Sequence, residues 1–202
     1  VELFNDRLDV HTATAAQLAN ISPEEVTAEQ RYRAKAVNFG ILYGQGAHGL
    51  AQGTGMSDGE ARIFLLRYKQ IRSKLFELTD EFIRQAKEVG YVKTFYGRRR
   101  PTPDIHSVNF NIRAGAERAA LNMPIQGTSA DITKLAMIKL TEVLPKDTKQ
   151  VLQVHDSIVV ETPEKEAPKV AKLLKETMES ISPDLGVKLQ VDTKTAKDLG
   201  SL

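Results

Sequence analysis

Arg31, Lys35, Phe39 and Tyr43 recur every four residues, so on a helix they form one stripe of two cations and two aromatic rings. Arg and Lys one turn apart suit the oxygens of a polyphosphate, and rings further along suit a base and a sugar. Ala34, Val37, Ile41 and Leu42 fall largely on the other side and can bury against the protein. Gly40 inside such a helix costs about 1 kcal/mol against Ala, which points to close approach of another group. The same spacing also describes a packing helix with a snorkelling basic edge.

Other segments carry chemistry of a similar kind. Two short apolar strands at 150–154 and 157–161 are separated only by His155-Asp156, where a tight turn normally takes Asn-Gly or another glycine pair. That choice strains the backbone but projects an imidazole and a carboxylate from a rigid support, and the Asp156 carboxylate is an oxygen ligand of the type Mg²⁺ prefers. A solvated turn with an Asp that tolerates positive φ is the plainer alternative. Residues 96–101 read Tyr-Gly-Arg-Arg-Arg-Pro, a loop whose Arg98, Arg99 and Arg100 suit phosphates or form an unspecific charged turn. Arg118, Asn122 and Gln126, again four apart, suit minor-groove edges and sugars, or hydrogen bonds within a kinked helix.

The elements that must hold these residues are well punctuated. Ser22-Pro23-Glu24-Glu25 is a capping box, and Thr27 with Gln30 opens the helix of the stripe. Ser57 with Glu60 starts another helix to about Gln70, a further one fills 73–89, and Gly90 stands at its left-handed cap. Residues 91–103 read as a small strand pair around Tyr96-Gly97. From 108 to 144 the pattern is helical, interrupted near Pro124 and Gly127 by a kink or by two helices meeting end to end, and we expect a long bent helix. The hairpin follows, then a helix from Pro163 to about Ile181 and a last strand over 187–192. Helices first and a small antiparallel sheet backed by helices at the end make an α+β layout.

Composition narrows the partners. The chain has 202 residues, 41% of them hydrophobic, enough for one core or for two lobes that share one. No apolar run is long enough to span a bilayer and the charged N-terminus does not resemble a signal peptide, so we expect no membrane and a cytoplasmic location. Without cysteine, any metal must sit on oxygen or imidazole. The formal charge is only +2, yet residues 62–118 hold 13 Lys and Arg against 6 Asp and Glu. A basic centre in a near-neutral chain suits a polyanion, or forms a solvated face.

Taken together and in this order, these segments resemble family A DNA polymerases, the DNA polymerase I type, over essentially the whole chain. Arg31, Lys35, Phe39, Tyr43 and Gly44 match the fingers-helix motif, and Asp9-Val10-His11-Thr12 resembles the segment whose histidine reaches the incoming triphosphate. The resemblance implies a right-hand architecture, incomplete here, with fingers over 1–105 and part of the palm over 106–202. It implies nucleotidyl transfer from a dNTP to a primer 3′-hydroxyl, two Mg²⁺ ions, and primer-template DNA as partner. Asp156 would hold metal, with Lys35 and Arg31 stabilising developing charge. His11, Arg31, Lys35, Phe39 and Tyr43 would bind the nucleotide, and Arg98, Arg99, Arg118, Asn122, Gln126 and His155 the DNA.

Two departures accompany the match. The family's first catalytic carboxylate, in an Asp-Tyr-Ser-Gln-Ile-Glu type strand, has no counterpart in residues 1–10, where Glu2, Asp6 and Asp9 read as surface or capping groups. We therefore expect a fragment, inactive alone, that needs the N-terminal polymerase portion and comes from a bacterial nucleoid-associated or phage-encoded enzyme. Ser157 stands where most relatives carry Glu, which leaves a single-subunit RNA polymerase as one alternative. A noncatalytic nucleic-acid-binding module is the other.

Overall fold

The computed structural model describes residues 9–42 and 44–201, so Tyr43 lies outside the described residues, as does the side chain of Leu42. Tertiary contacts divide the chain into two compact units, one reaching to Gly127 and the other running from Thr128 onward. That division falls within a long helix, whereas the fingers and palm expectation drew its line at 105/106.

The first unit is built on helices with local starts and stops. Asp9 caps α1 (Val10–Ala19) by accepting from the His11 N–H at 3.0 Å, and Asn20 ends it in the left-handed region at φ 56°. The Ser22 capping box closes only a 3-10 turn, Pro23–Glu25, because Val26 is extended. The second box works as expected: Thr27 and Gln30 exchange hydrogen bonds of 2.9 and 3.2 Å at the start of α2 (Ala28–Leu42). α3 (Ala47–Thr54), α4 (Asp58–Ile71) and α5 (Ser73–Val89) follow, with Ser57 and Glu60 capping α4 and Gly90 at φ 76° ending α5.

Val37, Ile41, Leu50, Ala51, Ala61 and Tyr68 form the core between α2, α3 and α4. Val37 and Leu50 are fully buried, and each such side chain contributes roughly 1.5–3 kcal/mol. A second cluster, Ala86, Val92, Ile105, Ala120 and Met123, joins α5 to the hairpin of β1 (Tyr91–Lys93) and β2 (Arg99–Pro101) and to α6 (Phe110–Val143). The hairpin is antiparallel with Val92 opposite Arg100.

α6 is one helix of 34 residues with Pro124 inside it. The helix runs on through Pro124 and Gly127 as one element, as a long helix was expected to, and the glycine has a packing cause. A Cβ there would stand 2.6 Å from Thr94 Cγ2, so the missing side chain is what admits the hairpin to the helix.

In the second unit β3 (Lys149–Val154) and β4 (Ser157–Glu161) pair antiparallel, with an irregularity in register between Gln150 and Leu152. α6 backs β3 through Gln150, whose Nε2 donates to the Met137 carbonyl and to Thr141 Oγ1, both at 2.9 Å. α7 (Ala167–Ser180) turns Val170 and Thr177 inward.

The strand expected over 187–192 does not form. Its alternating pattern is present, but a strand also needs a ladder partner, and among the described residues β3 and β4 pair only with each other. The Val191 N–H goes instead to a side chain, Glu179 Oε1, at 3.1 Å. The α+β class holds, with two sheets of two strands each among the described residues.

Candidate nucleotide and nucleic-acid site

The stripe on α2 faces as its spacing requires. Ala34, Val37 and Ile41 are buried, while Arg31, Lys35 and Phe39 are exposed. α1 packs beside α2 and brings His11 to Phe39, with ring centroids 5.7 Å apart and planes tilted by 45°. One surface therefore offers an imidazole, a phenyl ring, an ammonium and a guanidinium.

Arg31 already has an anionic partner. Its Nε donates to Asp9 Oδ2 at 2.5 Å, and Thr12 Oγ1 donates to the same oxygen at 2.7 Å. Desolvation pushes the Asp9 carboxyl upward, but hydrogen bonds from Arg31, Thr12 and the His11 N–H, with the Arg31 charge, outweigh it. Asp9 stays ionised far below the usual carboxylate range. The capping role expected for Asp9 is present; its grip on Arg31 was not legible. Burial lowers the pKa of His11; Asp9 pulls it back up, and Arg31 and Lys35 lower it again.

The close approach expected at Gly40 comes from Gln45. That side chain lies across Gly40 and also meets Gly49, where a Cβ would stand 2.8 Å from Gln45 Cγ. The Gln45 N–H donates to the Gly40 carbonyl at 2.8 Å, so the end of α2 is folded back on itself.

The arginine loop divides by role. Gly97, at φ 84°, makes the turn. Arg98 is tied inward: its Nη2 donates to the Gly127 carbonyl at 3.0 Å and its N–H to Thr94 Oγ1 at 3.1 Å. Arg99 lies over the Tyr91 ring at 4.6 Å, and Arg100 is exposed beside it. Arg118 and Gln126 are exposed and Asn122 is half-buried, on one face of α6. A Cβ on Gly44, at φ 75°, would lie 3.2 Å from Arg118 Cγ, so the stem of Arg118 packs just beyond the end of α2.

In the second unit His155 and Asp156 form the expected two-residue turn, Val154 opposite Ser157. His155, not Asp156, takes the left-handed conformation, at φ 53°. A bulky residue there costs about 1 kcal/mol or more. Gln153 Nε2 donates to the His155 carbonyl at 2.5 Å, and the Asp156 carboxylate is exposed at the tip. Among the described residues no three His, Asp or Glu side chains gather as a metal cluster. Asp156 supplies a hard oxygen donor of the right kind, as one ligand rather than a cage.

Sequence reasoning missed the residues behind the stripe. Asn38, Tyr68, Thr14 and Arg72 form a hydrogen-bonded set beneath His11 and Phe39. Only an Asn on the buried face of α2 hinted at it.

The first unit thus presents cations and rings on one helical face, and the second unit presents an exposed carboxylate at a hairpin tip. The chain belongs to DNA polymerase family A, whose model matches residues 1–201. It is 46% identical over 183 residues to a DNA polymerase I of Streptococcus pneumoniae, covering 89% of this chain and 21% of that protein. It is 45% identical over 195 residues to a DNA polymerase I of Geobacillus stearothermophilus, covering 95% and 22%. Against the thermostable DNA polymerase I of Thermus aquaticus it is 40% identical over 199 residues, covering 98% and 24%. Among solved structures, the POL domain of Pol1 from M. smegmatis, in complex with DNA primer-template and dNTP, superposes with a TM-score of 0.83 at 37% identity. That match covers 90% of this chain and 33% of the other. The chain thus spans about a fifth to a quarter of the curated relatives' length. Relatives that are DNA polymerases do not favour the RNA polymerase alternative.

Proposed function

We propose that this chain is the part of a DNA polymerase that holds the incoming dNTP and contacts primer-template DNA during nucleotidyl transfer. The observation that carries this reading is the exposed α2 face, where Arg31, Lys35 and Phe39 stand beside His11. In the reaction the primer 3′-oxygen attacks the α-phosphorus, a phosphodiester forms and pyrophosphate leaves. Lys35 and Arg31 offset charge on the phosphates, the electrostatic part of catalysis. A triphosphate would compete with Asp9 for Arg31. Phe39 gives the sugar and base an apolar wall, and Tyr43, four residues on in the sequence, would border the templating pair.

Exposed Arg99, Arg100 and Arg118, with Asn122 and Gln126, serve the DNA. Arg98 serves it indirectly, by fixing the hairpin to α6. In this reading residues 1–105 act as fingers and 106–202 as part of a palm. Asp156, with His155 beside it, would be a ligand for Mg²⁺, which when bound activates the attacking hydroxyl and stabilises the leaving pyrophosphate.

The test is single-turnover dNTP incorporation by the full-length polymerase carrying Lys35→Ala. Loss of one such phosphate contact should slow incorporation by about 10²-fold with duplex binding unchanged. An unchanged rate would remove α2 from the nucleotide site.

A further inference from the structure

Behind the exposed face of α2, one assignment of hydrogen-bond donors and acceptors satisfies every contact. The Thr14 hydroxyl donates its one proton to the Val10 carbonyl at 2.7 Å, so Thr14 Oγ1 has only lone pairs left to offer. Arg72 Nη2 fills one from 3.3 Å, and the Asn38 amide approaches another at 3.3 Å. An amide oxygen turned that way would oppose lone pair to lone pair. The Asn38 NH₂ must therefore face Thr14, leaving its Oδ1 to accept from the Tyr68 hydroxyl at 2.8 Å. The same NH₂ lies 3.0 Å from His11 Nδ1. That nitrogen receives a hydrogen and carries none.

We infer that Asn38 is a positioning residue that holds His11 as the neutral imidazole with its proton on Nε2. This rests on the reading of His11 as a phosphate contact and sharpens it. His11 offers the triphosphate a neutral N–H donor, not a third cation beside Arg31 and Lys35. A neutral imidazole also holds its remaining proton too tightly to act as an acid toward the leaving pyrophosphate.

The surroundings agree. Asn38 is 7% exposed, so its amide cannot satisfy itself with bulk water and is held by the three partners named. The charged and titratable groups around the ring are Asp9 at the start of α1, and Arg31 and Lys35 on α2. Arg72 acts through Thr14, and Tyr68 of α4 through Asn38. Protonating Nδ1 would set its N–H against the Asn38 NH₂. The lowered pKa of His11, caused first by burial, points the same way.

The experiment is long-range ¹H–¹⁵N spectroscopy of imidazole-labelled full-length polymerase, the His11 signal being assigned by its loss in His11→Gln. We expect an unprotonated Nδ1 and a titration midpoint below the ordinary histidine value. Asn38→Asp places a carboxylate against Nδ1, and should raise the midpoint by about one unit or more and bring a proton onto that nitrogen. Tyr68→Phe, a gentler change, should shift the signal in the same direction by less. In Asn38→Asp the KM for dNTP should also vary with pH across the new midpoint.

A wild-type His11 protonated on Nδ1 would overturn the inference, whatever the variants do. So would folded Asn38→Asp or Tyr68→Phe protein with an unmoved His11 signal. If the tautomer is as inferred but KM for dNTP ignores both Asn38→Asp and His11→Gln, Asn38 still positions the ring. The phosphate role of His11 then fails.

Discussion

Asp9 does two things with one carboxylate: it caps α1 and it holds Arg31. Asp9→Ala removes both and should cost about 1 kcal/mol, the usual worth of an N-cap, measured by urea unfolding. Asp9→Asn keeps an acceptor for the His11 N–H and loses the ion pair, which is largely exposed and so adds little. The pH dependence separates the two. The folded-state pKa of Asp9 is depressed, so its stabilisation is complete above the unfolded value near 4. It fades as pH falls from there toward the lower folded value. Stability against pH should therefore be flatter on the acid side for Asp9→Asn than for the parent; equal acid slopes would contradict the pairing.

Glycines at the element scale look alike in sequence and differ in consequence. At Gly127 a Cβ would press on Thr94 Cγ2 at 2.6 Å and on Arg98 Nη2 at 3.2 Å, and Thr94 is itself buried. Gly127→Ala should cost about 1–3 kcal/mol by overpacking, in spite of better helix propensity, and should loosen the arginine hairpin. At Gly40 the group in the way is the Gln45 side chain, which can move. Gly40→Ala should change stability by under about 1 kcal/mol. Thermal unfolding of the pair tests the contrast, and equal losses would refute it.

Helix starts were legible because a capping box lies within four residues, and Ser57 with Glu60 needs nothing distant. The outward stripe on α2 followed from periodicity alone. The strand expected at 187–192 fails because alternation cannot show whether a distant partner exists. The link from Asn38 to His11, 27 residues apart, and to Tyr68, 30 apart, left no pattern either. Gly127 suggests a kink or a junction in sequence because a glycine in a helix can also serve packing, and only the Thr94 contact distinguishes these.

For the whole molecule, the basic segment 62–118 with its exposed Arg99 and Arg100 predicts DNA binding that weakens steeply with salt. Arg100→Ala should lower affinity similarly for all duplex sequences and reduce the slope of log K against log salt by about 1. Arg98→Ala should instead lower hairpin stability, since its guanidinium holds Gly127. Titration by fluorescence anisotropy at several salt concentrations distinguishes them. Purified residues 1–202 alone should not extend a primer with Mg²⁺ and dNTPs, Asp156 being one carboxylate where the proposed chemistry needs more. Extension by this chain would refute that account.

The turn at the tip of β3 and β4 has no slack. Val154 opposes Ser157 with only His155 and Asp156 between them, and side chains alternate faces along each strand. The direction of Asp156 is therefore fixed by arithmetic as much as by chemistry. Exchanging one side chain for another leaves the count intact; inserting or deleting a single codon there would re-aim the carboxylate. At this place the length of the gene matters as much as its spelling.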